Sequence, residues 1–168
     1  MDTPATMTTP ITVRVQADAF DPWRVLDEHP AGPPGSIGAT AVFVGTLRDF
    51  NQGEKVAAMT LEHYPGMTEK YLRAVCSEAA GRWALSDILV IHRFGELSPG
   101  EPIVLVAVSS AHRDDAFAAC RYIIDELKTR APFWKKEKTA EGERWVAPAT
   151  PPVTQEPPNA SSESRMPM

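Results

Sequence analysis

The stretch from Ser110 to Lys138 constrains this chain more than any other. Phe117, Cys120, Ile124 and Leu127, with Ile123 beside them, recur at helical spacing and make one apolar stripe. Asp114 and Asp115 fall in the first turn and Lys128 and Arg130 in the last, which suits the helix dipole. Pro132 disfavours helical geometry at Ala131 and ends the helix. Two aromatics, Phe133 and Trp134, then run straight into Lys135 and Lys136. Between Lys128 and Lys138 there are five cations against one acid, Glu137, and His112 and Arg113 precede the helix. Basic groups therefore gather at both ends of one helix.

That gathering stands out because the whole chain is acidic, with a formal net charge of -5 over 168 residues. A mild negative charge argues against non-specific nucleic-acid binding. The length suits one domain with a real core. No run of 18 apolar residues crosses a membrane, and the N-terminus lacks a basic start followed by an apolar run, so a cytoplasmic protein is expected. Cys76 and Cys120 form no C-x-x-C pair, and each sits on the apolar stripe of its own helix. They read as buried small hydrophobes, so sulfur chemistry, if there is any, does not ride on them.

In chain order, residues 1–10 read as a flexible Thr- and Pro-rich start. Thr12 to Ala17 alternates as a strand. Asp21-Pro22 opens a short helix that stops near His29-Pro30. Residues 31–38 hold three glycines and two prolines and make a loop. Thr40 to Leu47 is an apolar strand, Asp49 to Glu54 a turn-rich loop, and Val56 to Tyr64 a second strand. Thr68 reads as the N-cap of a helix, with Met67 stapled onto Leu72. Leu72, Val75, Cys76, Ala79, Ala80 and Trp83 form its stripe. Asp87 to Phe94 and Ile103 to Ser109 are strands joined through a Pro99-Gly100 turn, and a short strand at Arg144–Val146 follows the long helix. From Ala147 onward the composition is Pro- and Ser-rich with almost nothing to bury, so 148–168 reads as a disordered tail. Hairpins without regular β-α-β alternation predict an α+β fold.

The cations come from separated segments: Arg48 at a strand end, His112-Arg113 before the long helix, Lys128 and Lys135 after it. A solvated basic face and a compensated helix C-terminus would account for a plain lysine run. Aromatic and proline connections stiffen this one, and converging cations fit an anionic small ligand such as a phosphate ester or a carboxylate. A lysine close to other cations can also act as base or nucleophile. Glu62 with His63 could form a functional pair, though a single His on a half-buried strand is more often structural. There is no phosphate-binding glycine loop, no G-x-S-x-G and no H-E-x-x-H, and the four histidines lack metal-ligand spacing. No cofactor and no metal are expected.

Several long runs carry a specific likeness: Phe43–Arg48, Thr60–Lys70 (Thr-Leu-Glu-His-Tyr-Pro-Gly-Met-Thr-Glu-Lys), Val90–Leu97, Ser110–Arg113, Leu127–Glu137 and Glu143–Val146. Over residues 11–147 the chain resembles the large, catalytic subunits of molybdopterin synthases. The resemblance implies an α+β fold of the α/β-hammerhead type with an additional small antiparallel β subdomain. It implies a homodimer core that becomes a heterotetramer by docking a small ubiquitin-like sulfur carrier at each end. The carrier's C-terminal Gly-Gly, as a thiocarboxylate, delivers sulfur twice to cyclic pyranopterin monophosphate, giving the dithiolene of molybdopterin. The family's catalytic lysines fall on Lys128 and Lys135. Its substrate contacts fall on Thr46, Leu47, Arg48, His112, Arg113, Lys136 and Glu137. Phe43, Phe133 and Trp134 would wall the pocket or grip the carrier's tail. The chain departs from some members at Ala147-Pro148-Ala149, where they carry a further basic residue.

Two other readings are weighed against this enzyme. A non-catalytic docking module for a ubiquitin-like protein would need no cationic pocket, and an enzyme for another phosphorylated metabolite would share one.

Overall fold

The computed structural model describes residues 8–51, 53–130 and 132–146. The tail expected at 148–168 and residues 1–7 lie outside the described residues. Two sheets and three helices form the described part, the α+β arrangement anticipated from the hairpins. The first sheet contains β1 (Ile11–Gln16), β5 (Asp87–Arg93), β7 (Pro102–Ser110) and β2 (Ala39–Thr46), in the spatial order β1-β5-β7-β2. Only β1 and β5 run parallel.

Every residue of β5 is buried, because both faces of the sheet are covered. Helices α2 (Met67–Arg82) and α3 (Arg113–Arg130) cover one face, where Ile88, Val90, Val106 and Val108 meet Leu72, Cys76, Ala79, Ala119 and Ile123. The short helix α1 (Pro22–Glu28) covers the other face, with Val25 and Leu26 over Leu89, Ile91, Leu105 and Ala107. Asp21 caps α1 as its sequence predicts, its carboxylate accepting from the Trp23 and Arg24 amides.

Four readings are corrected. Phe117 is 67% exposed, and the buried stripe of α3 runs through Ala116, Ala119, Cys120, Ile123 and Ile124. Small alanines let the helix approach the sheet closely, and the ring is turned outward. Thr68 is not the cap of α2. Gly66, at φ 81, occupies that position, and the Glu69 carboxylate accepts from its amide at 2.7 Å. Met67 is thereby inside the helix and exposed, so it is not the residue of a staple. The loop expected at 49–54 contains a two-residue strand, β3 (Phe50–Asn51), paired with the start of β4 (Glu54–His63).

The second sheet is the small antiparallel subdomain. Its order is β3-β4-β8-β9, with β8 at Phe133–Thr139 and β9 at Gly142–Val146. Strand β6 (Gly95–Leu97), within a segment read only as a connection, also pairs with β4. Leu47, Met59, Leu61 and Leu97 form its buried cluster. Both cysteines are buried, and desolvation pushes their thiols up to about 12 for Cys76 and about 11 for Cys120.

Candidate functional site

Three structural elements converge where α3 ends and β8 begins. Helix α3 is fixed by its buried stripe, so its last turn carries Lys128 to the helix-side face of the first sheet. There the Lys128 amine lies 5.8 Å from the centre of the Phe43 ring. The chain then turns and enters β8. Thr68, fully buried at the start of α2, accepts from the Tyr64 amide and donates to the Pro132 carbonyl at 3.3 Å. The residue read as a helix cap is thus a tie that holds the corner leading to Phe133 and Lys135.

Register decides which side chains of β8 face the site. Phe133 lies opposite His63, Lys135 opposite Leu61, and Glu137 opposite Met59. Cross-strand partners share a face, so these three lie on the face of Leu61 and Met59, with Lys135 exposed and Glu137 buried, while Trp134, itself buried, and Lys136 lie on the opposite face. Lys135 is exposed to solvent, yet the groups around its amine desolvate it in part. Partial desolvation lowers its pKa, the Lys128 charge lowers it further, and Glu137 opposes both. The Lys128 charge is thus near enough to act on Lys135.

The floor of the site comes from the sheet. Gly45, Val104 and His92 lie in register across β2, β7 and β5, one row beyond Phe43, Val106 and Val90. A side chain at Gly45 would collide with Val104 and crowd Phe43, so glycine keeps this row low. His92 stacks on Phe133, with ring centres 3.9 Å apart and planes 17° from parallel. His63 stacks on Phe94 at 4.0 Å. Desolvation favours the neutral form of both imidazoles. His92 is pushed down to about 4 by desolvation, with Lys135 and His63 adding to the effect against a hydrogen bond to the Arg93 carbonyl. His63 is lowered by desolvation, with Glu69 opposing. Sequence spacing gave no sign of these imidazoles beside the lysines, because strand pairing alone brings them there.

The remaining candidates divide. Thr46, Leu47 and Arg48 continue from β2 at this same end of the sheet. Thr46 and Arg48 are exposed, while Leu47 is buried with Leu61, the residue opposite Lys135. Lys136 faces the other side of β8, its amine 2.7 Å from Glu143 and 5.6 Å from the centre of the Trp145 ring. Glu137, only 3% exposed, accepts from Arg144 at 3.1 and 3.3 Å, and Arg144 also reaches Glu54 at 2.9 Å. In this chain Glu137 anchors β9 to β8. Trp134 packs edge-on against Tyr64 and does not wall the lysine pocket, because alternation along β8 turns it away.

His112 and Arg113 are not brought to the lysines. They stand at the opposite end of α3, about 22 Å from Lys128 at 1.5 Å per helical residue. There they are exposed and line a separate cavity of about 440 Å³ with Gly38, Ala111 and Asp114. The backbone is tight at that point. The Gly38 amide donates to Ser110, and a Cβ on Gly38 would run into the Ala111 carbonyl. The expectation that all the cations converge is therefore corrected for a single chain, because a straight helix separates its own two ends.

Comparison with known proteins shows the family and the fold. The family model described as MoaE protein matches residues 15–130. The chain is 57% identical over 136 residues to the molybdopterin synthase catalytic subunit of Pseudomonas aeruginosa, covering 81% of this chain and 90% of that protein. A molybdopterin biosynthesis MoaE protein from Burkholderia ambifaria superposes with a TM-score of 0.69 at 52% identity, covering 81% of this chain and 88% of that one. The molybdopterin synthase of Staphylococcus aureus gives a TM-score of 0.72 at 30% identity, covering 80% and 96% of the two chains.

Proposed function

The chain belongs to the MoaE family, and on that premise we propose that it is the catalytic subunit of a molybdopterin synthase, a sulfur-transferring enzyme of molybdenum cofactor biosynthesis. It moves two sulfurs from the thiocarboxylated Gly-Gly end of a small ubiquitin-like carrier to cyclic pyranopterin monophosphate. The observation that supports the site assignment is the Lys128 amine over the Phe43 ring, with its charge acting on Lys135, two residues beyond Phe133.

The chemistry asks for such a pair. The carrier's thiocarboxylate and the cyclic phosphate are both anions, and they must come together before sulfur attacks carbon. Two ammonium groups over an apolar floor offset that repulsion and stabilise charge that builds as the phosphate ring opens. Lys135, with its lowered pKa, is the better placed of the two to give a proton to the departing oxygen. Arg48 holds the phosphate, as a guanidinium does with two parallel donors. The buried thiols of Cys76 and Cys120 take no part, since neither forms thiolate near neutral pH.

His112 and Arg113 reach substrate only from a second copy of the chain, which accords with a homodimer core carrying one carrier at each end. Phe117, exposed one turn into α3, offers apolar surface for that contact. Thr46, Leu47 and Lys136 serve as the edge of the substrate and carrier surface, and Glu137 acts by fixing the β8–β9 hairpin. Residues 11–147 form the working unit, followed by a tail. We propose that the reaction is cytoplasmic; no helix among the described residues is long and apolar enough to cross a membrane. Product formation from cyclic pyranopterin monophosphate with purified thiocarboxylated carrier tests the whole reading. A protein that binds the carrier but yields no product would be a docking module.

A further inference from the structure

We propose that His92 is a positioning residue for Lys135: its buried ring, stacked on Phe133, fixes the start of β8 over the first sheet so that the Lys135 amine faces Lys128. The inference rests on the reading of Lys128 and Lys135 as the reacting pair, and it adds a residue from β5, an element that carries neither.

The geometry assigns each part of the ring a task. His92 lies inside the helix-side row Gly45–Val104–His92–Val15, so the sheet holds it from below. Its Nδ1 lies 2.8 Å from the Arg93 carbonyl oxygen. A carbonyl only accepts, so Nδ1 carries the proton and Nε2 keeps a lone pair. That bond fixes the ring plane, and the nearly parallel contact at 3.9 Å passes the orientation on to Phe133. Phe133 and Lys135 are two residues apart on one strand and share a face, so the placement of the ring fixes the base of the lysine side chain.

A plain core residue would fill this space without polar atoms. A buried imidazole instead keeps a flat ring against Phe133 and remains uncharged. The charged and titratable groups acting on it are Lys135 from β8 and His63 from β4, with the Arg93 carbonyl on its own strand. A cation at this position would repel the Lys135 ammonium. A neutral ring supports it at close range.

The test uses substitutions that separate the ring from its hydrogen bond, in the full-length protein with purified thiocarboxylated carrier. His92→Phe keeps a flat ring against Phe133. His92→Asn keeps a donor near the Nδ1 position and loses the ring. Phe133→Leu removes the stack from the other side at similar apolar volume. A displacement of about 1 Å at a reacting group costs up to roughly 100-fold in rate. His92→Asn and Phe133→Leu are therefore expected to lower kcat by roughly ten- to 100-fold with carrier affinity unchanged, and His92→Phe to stay within about threefold of wild type. The pH dependence of Lys135 acylation, followed by mass spectrometry, reports the lysine without turnover. Its midpoint should rise toward that of an ordinary lysine in His92→Asn and remain low in His92→Phe.

Unchanged kcat and an unchanged Lys135 midpoint in folded His92→Asn would overturn the inference. So would a folded His92→Phe that loses as much rate as His92→Asn, since the stack would then not be the operative contact. Lys135→Ala run alongside separates the two levels. If it turns over normally, the lysine assignment itself fails. If it is inactive while His92→Asn and Phe133→Leu are normal, only the positioning role falls.

Discussion

Lys135→Ala removes one charged donor from a site whose opposite wall is another cation. A preorganised group that meets charge developing in the transition state is worth about 100- to 1000-fold in rate, or about 2.7–4 kcal/mol. Lys135 is open to water on one side, which screens it and places the expected loss near the lower bound, roughly 100-fold. Lys128, exposed above the Phe43 ring, should cost a similar factor. The two act on the same developing charge, so their losses will not multiply. The double variant is expected to lose roughly 1000-fold, well short of the product of the single effects. Lys135→Arg distinguishes charge from proton transfer, because guanidinium keeps the charge and cannot release a proton. Strong rescue by arginine would assign Lys135 a purely electrostatic role. Lys128→Met should raise the Lys135 pKa, since one of the causes lowering it is gone. Single-turnover product formation measures the rates, and titration calorimetry with the carrier checks that docking over its broad surface is unchanged. Near wild-type rates in both alanine variants, or a loss of carrier affinity that matches the loss of rate, would refute the assignment.

Four further outcomes are expected. Arg48→Ala should raise KM for cyclic pyranopterin monophosphate by roughly tenfold or more while leaving carrier affinity alone, as loss of a charged hydrogen bond predicts; steady-state kinetics at saturating carrier reads this. Cys76→Ser should cost about 1–3 kcal/mol by urea denaturation, because a hydroxyl enters a fully buried site, yet sulfur transfer should continue. Acid should destabilise the fold through His92. Its folded pKa of about 4 lies below the ordinary 6.5, so the unfolded chain binds more protons between those values. The stabilisation is present above pH 6.5 and is lost as pH falls toward 4, by up to about 3 kcal/mol. His92→Phe should flatten that slope in urea denaturation series. Deleting residues 150–168 should leave sedimentation behaviour and turnover unchanged, since the segment has no apolar pattern with which to dock.

Local chemistry was readable from the chain by itself. The stripe of α3, the Asp21 cap, the turn after Arg130 and the buried cysteines depend on residues within a few turns of one another, so spacing reveals them. Lys128 and Lys135 stand out at the end of α3 for the same reason, but the strand β8 that carries Lys135 does not. What pairing decides was not. Phe117 has the spacing of a core residue, but the close approach of α3 through Ala116 and Ala119 turns it outward. Thr68 has the composition of a cap, but its hydroxyl is committed to Pro132, far along the chain. Strand β6 is too short to show a period, and its partner on β4 alone defines it. Lys136 and Glu137 adjoin Lys135 in sequence, yet alternation sends Lys136 to the opposite face and Arg144 takes Glu137. His92 and His63 reach the lysines only through the sheets, and His112 and Arg113 are held away from them by the length of α3. Sequence fixes which charges the chain possesses and how its elements are patterned. Distance between charges is a property of strand register and helix length, and those exist only once the core has closed.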